Sequence, residues 1–225
     1  MCGFPKDNFY YYKAWWGNDP VVHVFPHWNW TGREGDEIPV WVYSNLDEVE
    51  LFVNGKSAGS QKVPHLGHVE WKARYEPGVI EARGSKDGKV VLIDKRETTG
   101  PTAAIRLTAD RGEINADGED VAVIKVEGLD KEGRLVPIAN NHIGFKITGK
   151  GALIGVGNGD PNCQESDKRP ERSLFNGLAQ VIVQATKTPG TLTIEATSRR
   201  MEAATITLVT KEGKVRPAVP SPSRA

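Results

Sequence analysis

From Val21 onward the chain alternates polar and apolar residues with a period of two. "HVEWKARY" sets Val69, Trp71, Ala73 and Tyr75 against Glu70, Lys72 and Arg74, the pattern of a strand buried on one face. "EVELFVNGKSAG" places Val49, Leu51 and Val53 on one side and then turns at Asn54-Gly55, a pair that readily takes the positive φ angles of a tight hairpin. Further turns, "EPG" at 76–78 and "KDG" at 86–88, separate short strands. A β-sandwich over about residues 21–97 follows. Beyond the connecting "RETTGPT" the same period returns. Ala122, Ile124 and Val126 oppose Lys125 and Glu127. Ala179, Val181, Val183 and Ala185 oppose Gln180 and Gln184, and Leu192, Ile194 and Ala196 oppose Thr193 and Glu195. With "DKEG" and "TPG" as turns, a second sandwich is expected over 101–210. The tail from 211 to 225 is rich in Pro, Ser and charge and is expected to be disordered.

Before Val21 the period changes. Phe9, Tyr12 and Trp16 recur at i, i+3 and i+7, which predicts a helix, with Asp7 placed to cap its start and Gly17 and Pro20 to end it. One helix cannot bury that aromatic stripe alone, so residues 1–20 read as the edge of a larger body. The fold class is therefore all-β: two sandwiches in tandem, preceded by a short helix. All six tryptophans lie between Trp15 and Trp71, and the aromatics after Tyr75 are Phe145 and Phe175. Two differently built cores are implied.

Composition removes several functions. Lys plus Arg and Asp plus Glu both number 29, so no overall field selects a nucleic acid or an acidic lipid surface. No stretch is apolar over the ~20 residues a membrane span needs. "MCGFPKDNFYYYKAWW" lacks a basic segment followed by an aliphatic core and does not read as a signal peptide. Cys2 and Cys163 have no CxxC and no His at ligand spacing, so they make neither a disulfide framework nor a zinc site, and they read as two unrelated side chains.

Longer strings are more specific. "CGFPKDNFYYYKAWW" resembles the end of the catalytic barrel of glycoside hydrolase family 2 enzymes, especially β-galactosidases of the Bacteroides type. "PHWNWTGREGDEIPVWVYSNLDEVELFVNGKSAG" resembles the immunoglobulin-like domain after that barrel. "IRLTADRGEINADGEDVAVIKVEGLDKEGRLVPIANNHIGFKITGKGALIGVGNGDPNCQESD", with "RSLFNGLAQVIVQA", resembles the further C-terminal, invasin-like domain. The resemblance implies that residues 1–20 are a remnant of the last helix of a (β/α)8 barrel and that both sandwiches are immunoglobulin-like. It also implies a parent that hydrolyses terminal β-galactosides with retention and is periplasmic or secreted, with the family's other substrates, β-glucuronides and β-mannosides, left open because specificity lies largely in the barrel. The parent barrel would be the partner in cis. The two glutamates of that mechanism lie on barrel strands upstream of Gly3. No residue here matches either, so no catalytic residue is assigned and no hydrolysis is expected of this chain alone. Glu34/Asp36 and Glu48/Glu50 read as solvated surface pairs.

Two stretches are candidates for contact. In "HVFPHWNWTG", His27, Trp28, Asn29 and Trp30 could hold a sugar, with rings against its C–H faces and polar groups on its hydroxyls, or could bury against a neighbouring domain. An extended backbone would put Trp28 and Trp30 on one face, with His27 and Asn29 opposite. Asn29-Trp30-Thr31 also fits the N-glycosylation pattern, idle in a bacterial protein. The second stretch, "GVGNGDPNCQESDKRPERS", lacks the Gly-Lys-Ser/Thr of a phosphate loop, the spacing of a dinucleotide loop and that of an EF-hand. Its glycines read as supplying positive φ in a long connection. Asn158, Asp160, Glu165 and Asp167 are then rim-loop residues for contact with a barrel or a sugar, with a calcium site at 155–167 as the alternative. No other metal or cofactor is expected. The exposed aromatic helix predicts self-association of the fragment. The alternative to an accessory piece is a self-standing carbohydrate-binding or adhesive β-sandwich protein.

Overall fold

A computed structural model describes residues 2–216. The chain divides into two compact units, Gly3–Thr99 and Gly100 onward. The first begins with helix α1 (Asp7–Trp16). It continues through strands β1 (Val22–Phe25), β2 (Glu37–Ser44), β3 (Glu48–Val53), β4 (Lys56–Lys62), β5 (Val69–Arg74), β6 (Val79–Lys86) and β7 (Lys89–Glu97). A three-stranded sheet, β1-β2-β5, faces a four-stranded one, β4-β3-β6-β7, the strand count of an immunoglobulin-type sandwich. The alternating residues meet between the sheets: Val40, Val42, Val49, Leu51, Trp71, Tyr75 and Ile80 share one core with Trp28. Asn54 and Gly55 both take positive φ, 49° and 79°, and join β3 to β4 as the hairpin chemistry predicts.

Helix α1 forms where the 3.6 period put it, but a different face turns inward. Lys6, not Asp7, holds the N-cap position and makes no side-chain cap. Asp7 lies in the first turn, where its charge suits the helix dipole, and its carboxylate meets His23 Nε2 at 2.8 Å. Tyr10 stacks on His23, Tyr11 packs edge-on against Tyr43 and donates to the Leu66 carbonyl, and Ala14 is buried. The stripe picked out by spacing, Phe9, Tyr12 and Trp16, faces out, with Trp16 81% exposed. Both stripes are spaced for a helix, so periodicity alone could not choose between them.

The second unit contains β8 (Ala104–Ala109), β9 (Glu113–Ala116), β10 (Val121–Leu129), β11 (His142–Gly149) and β12 (Gly151–Gly157). It ends with β13 (Glu171–Ser173), β14 (Leu178–Ala185), β15 (Gly190–Thr197) and β16 (Ala204–Glu212). Sheet β12-β14-β10-β8 packs on β13-β11-β15-β16-β9 around Ile124, Val126, Ile143, Val181, Val183, Leu192, Ile194 and Leu208. No tryptophan is needed, because β-branched and leucine side chains at every second position fill this space. Strand β16 continues to Glu212, past the expected start of the tail. Its last two residues pair in parallel with Asn115 and Ala116 of β9, and that backbone ladder fixes a polar stretch that composition alone marks as loose. The part of the expected tail beyond Arg216 lies outside the described residues.

The "DKEG" turn carries more than its sequence suggests. Asp130 is buried and accepts hydrogen bonds from the backbone N–H of Gly100, Glu132 and Arg134 and from Arg134 Nε. Burial pushes its pKa up, but the Arg134 side chain and the backbone donors outweigh that and hold it at about 2.

Candidate functional site

Residues 27–30 follow β1 without forming a strand. Trp28 is fully buried. Its ring meets Tyr75 edge-on at 5.1 Å, its Nε1–H donates to the Glu76 carbonyl, and its own carbonyl accepts from Thr98 Oγ. Asn29 is 7% exposed. Its amide donates to the carbonyl and hydroxyl of Thr99 while its oxygen accepts the Thr99 N–H. The stretch is thereby tied to the last residues of its own unit. Trp30 is half-buried against the same core, with His27 stacked on it at 4.6 Å and Arg33 5.4 Å from its ring centre.

Three expectations change here. His27 lies beside Trp30 instead of opposite it, because the backbone is not extended. Trp28 and Asn29 are both buried, and the Asn29 amide is occupied within the fold. Trp30 presents a flanked ring, not an open platform. Burial of His27 pushes its pKa below the ordinary value of 6.5, more than the Asp7 charge raises it.

The rim loop runs from the end of β12 to β13. Gly155 and Gly157 belong to β12 itself, and of the loop glycines only Gly159 takes a positive φ, 78°. The ladder between β12 and β14 shifts register at Leu153/Gly155. That bulge frees the Ile154 carbonyl, which accepts from Lys168 Nζ at 2.8 Å.

What organises the loop is Arg172, in β13 and only 2% exposed. Its Nη1 donates to Cys163 Sγ at 2.8 Å and its Nη2 to the Val156 carbonyl at 3.1 Å. Nη2 also pairs closely with Asp167, and Glu165 lies 3.9 Å from Nε. Glu165 accepts the Ser173 N–H at 2.8 Å and the Ser173 hydroxyl at 2.5 Å. Burial pushes the Glu165 pKa up, but the Ser173 donors and the Arg172 and His142 charges bring it below the ordinary value. Asn158 donates to the Ser173 carbonyl and accepts the Asp160 N–H, and Asp160 accepts the Asn162 N–H.

Glu165 and Asp167 therefore meet at a cation the chain itself supplies, while Asn158 and Asp160 stabilise the turn. One oxygen each of Asp160 and Asp167 and both of Glu165 are thus engaged by a guanidinium, backbone N–H groups and the Ser173 hydroxyl. Among the described residues no group of three or more His, Cys, Asp or Glu is placed to hold a metal ion. Arg172, Cys163, Ser173 and His142 were missed in the sequence. A charged residue inside a three-residue strand after an acidic loop was the signal for Arg172. Cys163 is no idle thiol, since it accepts a hydrogen bond from that arginine.

Residues 105–207 match the family model described as Glycoside hydrolase family 2 C-terminal domain 5. This chain carries a C-terminal domain of glycoside hydrolase family 2. Residues 35–92 match a model described as a domain of unknown function. The chain is 42% identical to the β-galactosidase BoGH2A of Bacteroides ovatus, over 94% of this chain and 25% of that protein. It is 35% identical to a β-glucuronidase of Formosa agariphila, over 91% of this chain and 21% of that protein. A crystal structure of a β-glycosidase from Bacteroides vulgatus superposes with a TM-score of 0.89 at 32% identity, covering 93% of this chain and 27% of that one. The family 2 chain thus spans about a quarter of the length of the relatives it matches.

Proposed function

We propose that this chain is the accessory C-terminal part of a family 2 glycoside hydrolase that cleaves terminal β-galactosides with retention. Its two sandwiches brace the catalytic barrel and shape the entrance to its substrate. The observation that carries this reading is the match, over 94% of this chain, to a β-galactosidase about four times as long. Galactoside is preferred over glucuronide because the relative with that name is the more similar one.

The chemistry explains the division of labour. Retention needs two carboxyls ~5–5.5 Å apart on a rigid scaffold, one as nucleophile and one as acid and then base. The carboxylates here do other work: Glu48 and Glu50 accept from Ser60 and Ser57 across the β3–β4 hairpin. Phe9, Tyr12 and Trp16 are the face that the preceding barrel covers, which accounts for three large rings left in solvent. Without that cover they associate with a second copy.

Comparing this chain with a version extended upstream tests both points. The extended protein is expected to hydrolyse an aryl β-galactoside, while this chain shows no turnover and sediments as a self-associating species on a dilution series. Turnover by this chain alone, or an extended protein that prefers the aryl β-glucuronide, would sink the reading.

A further inference from the structure

Beside the rim loop, where β13 pairs with the start of β11, lies an open hollow of about 420 Å³ lined by His142, Gln164, Glu165, Ser166, Arg169 and Glu171. We propose that this hollow binds one neutral sugar unit through its hydroxyl groups. The volume lies in the range of small-molecule sites. Every lining side chain is polar, and donors and acceptors are mixed: the Gln164 amide, the Arg169 guanidinium and the His142 ring beside two carboxylates and a hydroxyl. The apolar surface present belongs to the carbon stems of these same polar side chains, which suits the C–H faces of a sugar ring. An anion meets Glu165 and Glu171, and a free cation meets Arg169 with Arg172 behind Glu165. A neutral ligand carrying several hydroxyls can satisfy both kinds of group without an uncompensated charge.

The lining is also held in place. Both Glu165 oxygens are fixed by Ser173, and the buried Arg172 stands 3.9 Å behind them. His142 is positioned between two carboxylates, Nδ1 3.8 Å from Glu165 and Nε2 3.5 Å from Glu171. Glu171 is less committed: its other partner, Arg169, is 3.8 Å away and 73% exposed. Its carboxylate is the acceptor left for a pair of adjacent hydroxyls, with His142 and Arg169 as donors at either side. With no aromatic platform in the hollow, binding is weak, with a dissociation constant on the order of 1–10 mM.

The test uses the isotopically labelled chain titrated with methyl β-galactopyranoside to about 50 mM, several times that constant. Amide shifts are expected at 142, 164–166 and 169–171. Glu171→Gln and His142→Ala should each weaken binding about tenfold, while Glu81→Gln in the first sandwich leaves it unchanged. His142 is exposed and Glu171 half-buried, so unchanged thermal unfolding is required of each variant to identify it as folded. Shifts absent from this region, or a dissociation constant unchanged in Glu171→Gln, would overturn the proposal. So would tighter binding of methyl β-glucuronide or of calcium chloride at the same residues, which would make it an ion site. Binding by this chain is measured apart from hydrolysis by the extended protein, so either can fail without the other.

Discussion

Residues 27–30 of the first sandwich and the rim loop of the second are both irregular segments, and they are anchored by opposite means. The first is held by an aromatic side chain sunk into the core, with Trp28 fully buried and its single N–H satisfied by a backbone carbonyl. The second is held by a buried cation, Arg172, around which a thiol, a carbonyl and two carboxylates gather. The difference matters for what each segment can do. Burying an aromatic ring stabilises the whole sandwich but withdraws the residue from any ligand. A buried arginine instead fixes polar groups in place and leaves others, such as Glu171, at the surface. An aromatic-rich stretch thus became core, and an acidic loop became the better candidate for contact.

The largest expected effect breaks the aromatic anchor. Trp28→Ala removes a fully buried ring and should cost the first sandwich about 3–5 kcal/mol, seen as a drop in the urea midpoint of that unit. A change below about 1 kcal/mol would mean the core does not depend on it.

The ionic anchor should give a smaller and more local loss. Arg172→Met keeps the length but leaves Asp167 and Glu165 without their cation. Both carboxylates keep access to water, so the cost should be about 1–3 kcal/mol. Hydrogen exchange should rise over 158–173 and leave the β14–β10 ladder unchanged. Exchange rising through the whole second sandwich would show that the loop and the core are one cooperative unit.

Acid should separate the two regions with the smallest effects. The His27 pKa is depressed on folding, so below 6.5 the unfolded chain takes up a proton that the folded one resists. The first sandwich should therefore start to lose stability as pH falls through 6.5 toward the lower folded value. In the second sandwich Glu165 and Asp130 have depressed pKa values. Their contribution is complete above the ordinary carboxylate values of 4.5 and 3.8 and is lost as pH falls through the folded ones, about 2 for Asp130. Unfolding midpoints measured per unit from pH 7 to 3 should show the first responding before the second. A simultaneous decline would count against this assignment.

Much of this architecture was written in local pattern. The period of two located the strands because one face of each must be buried, and Asn54-Gly55 marked its hairpin because few residue pairs tolerate two positive φ angles. The family could be read from long strings of residues. The site was less legible. Asn158, Asp160, Glu165 and Asp167 were recognisable as one acidic loop, but their common partner, Arg172, sits in a later strand and is brought to them only by the closing of the sheet.

The sequence by itself determined an all-β chain with two cores of different composition and a short helix before them. Tertiary structure decided which aromatic stripe of α1 faces out, that Trp28 is core while Trp30 is flanked at the surface, and that the acidic loop closes on an arginine. The physical reason is range. Periodicity and turn chemistry act over a few residues and fix elements, whereas burial and charge pairing depend on groups tens of residues apart that meet only after packing.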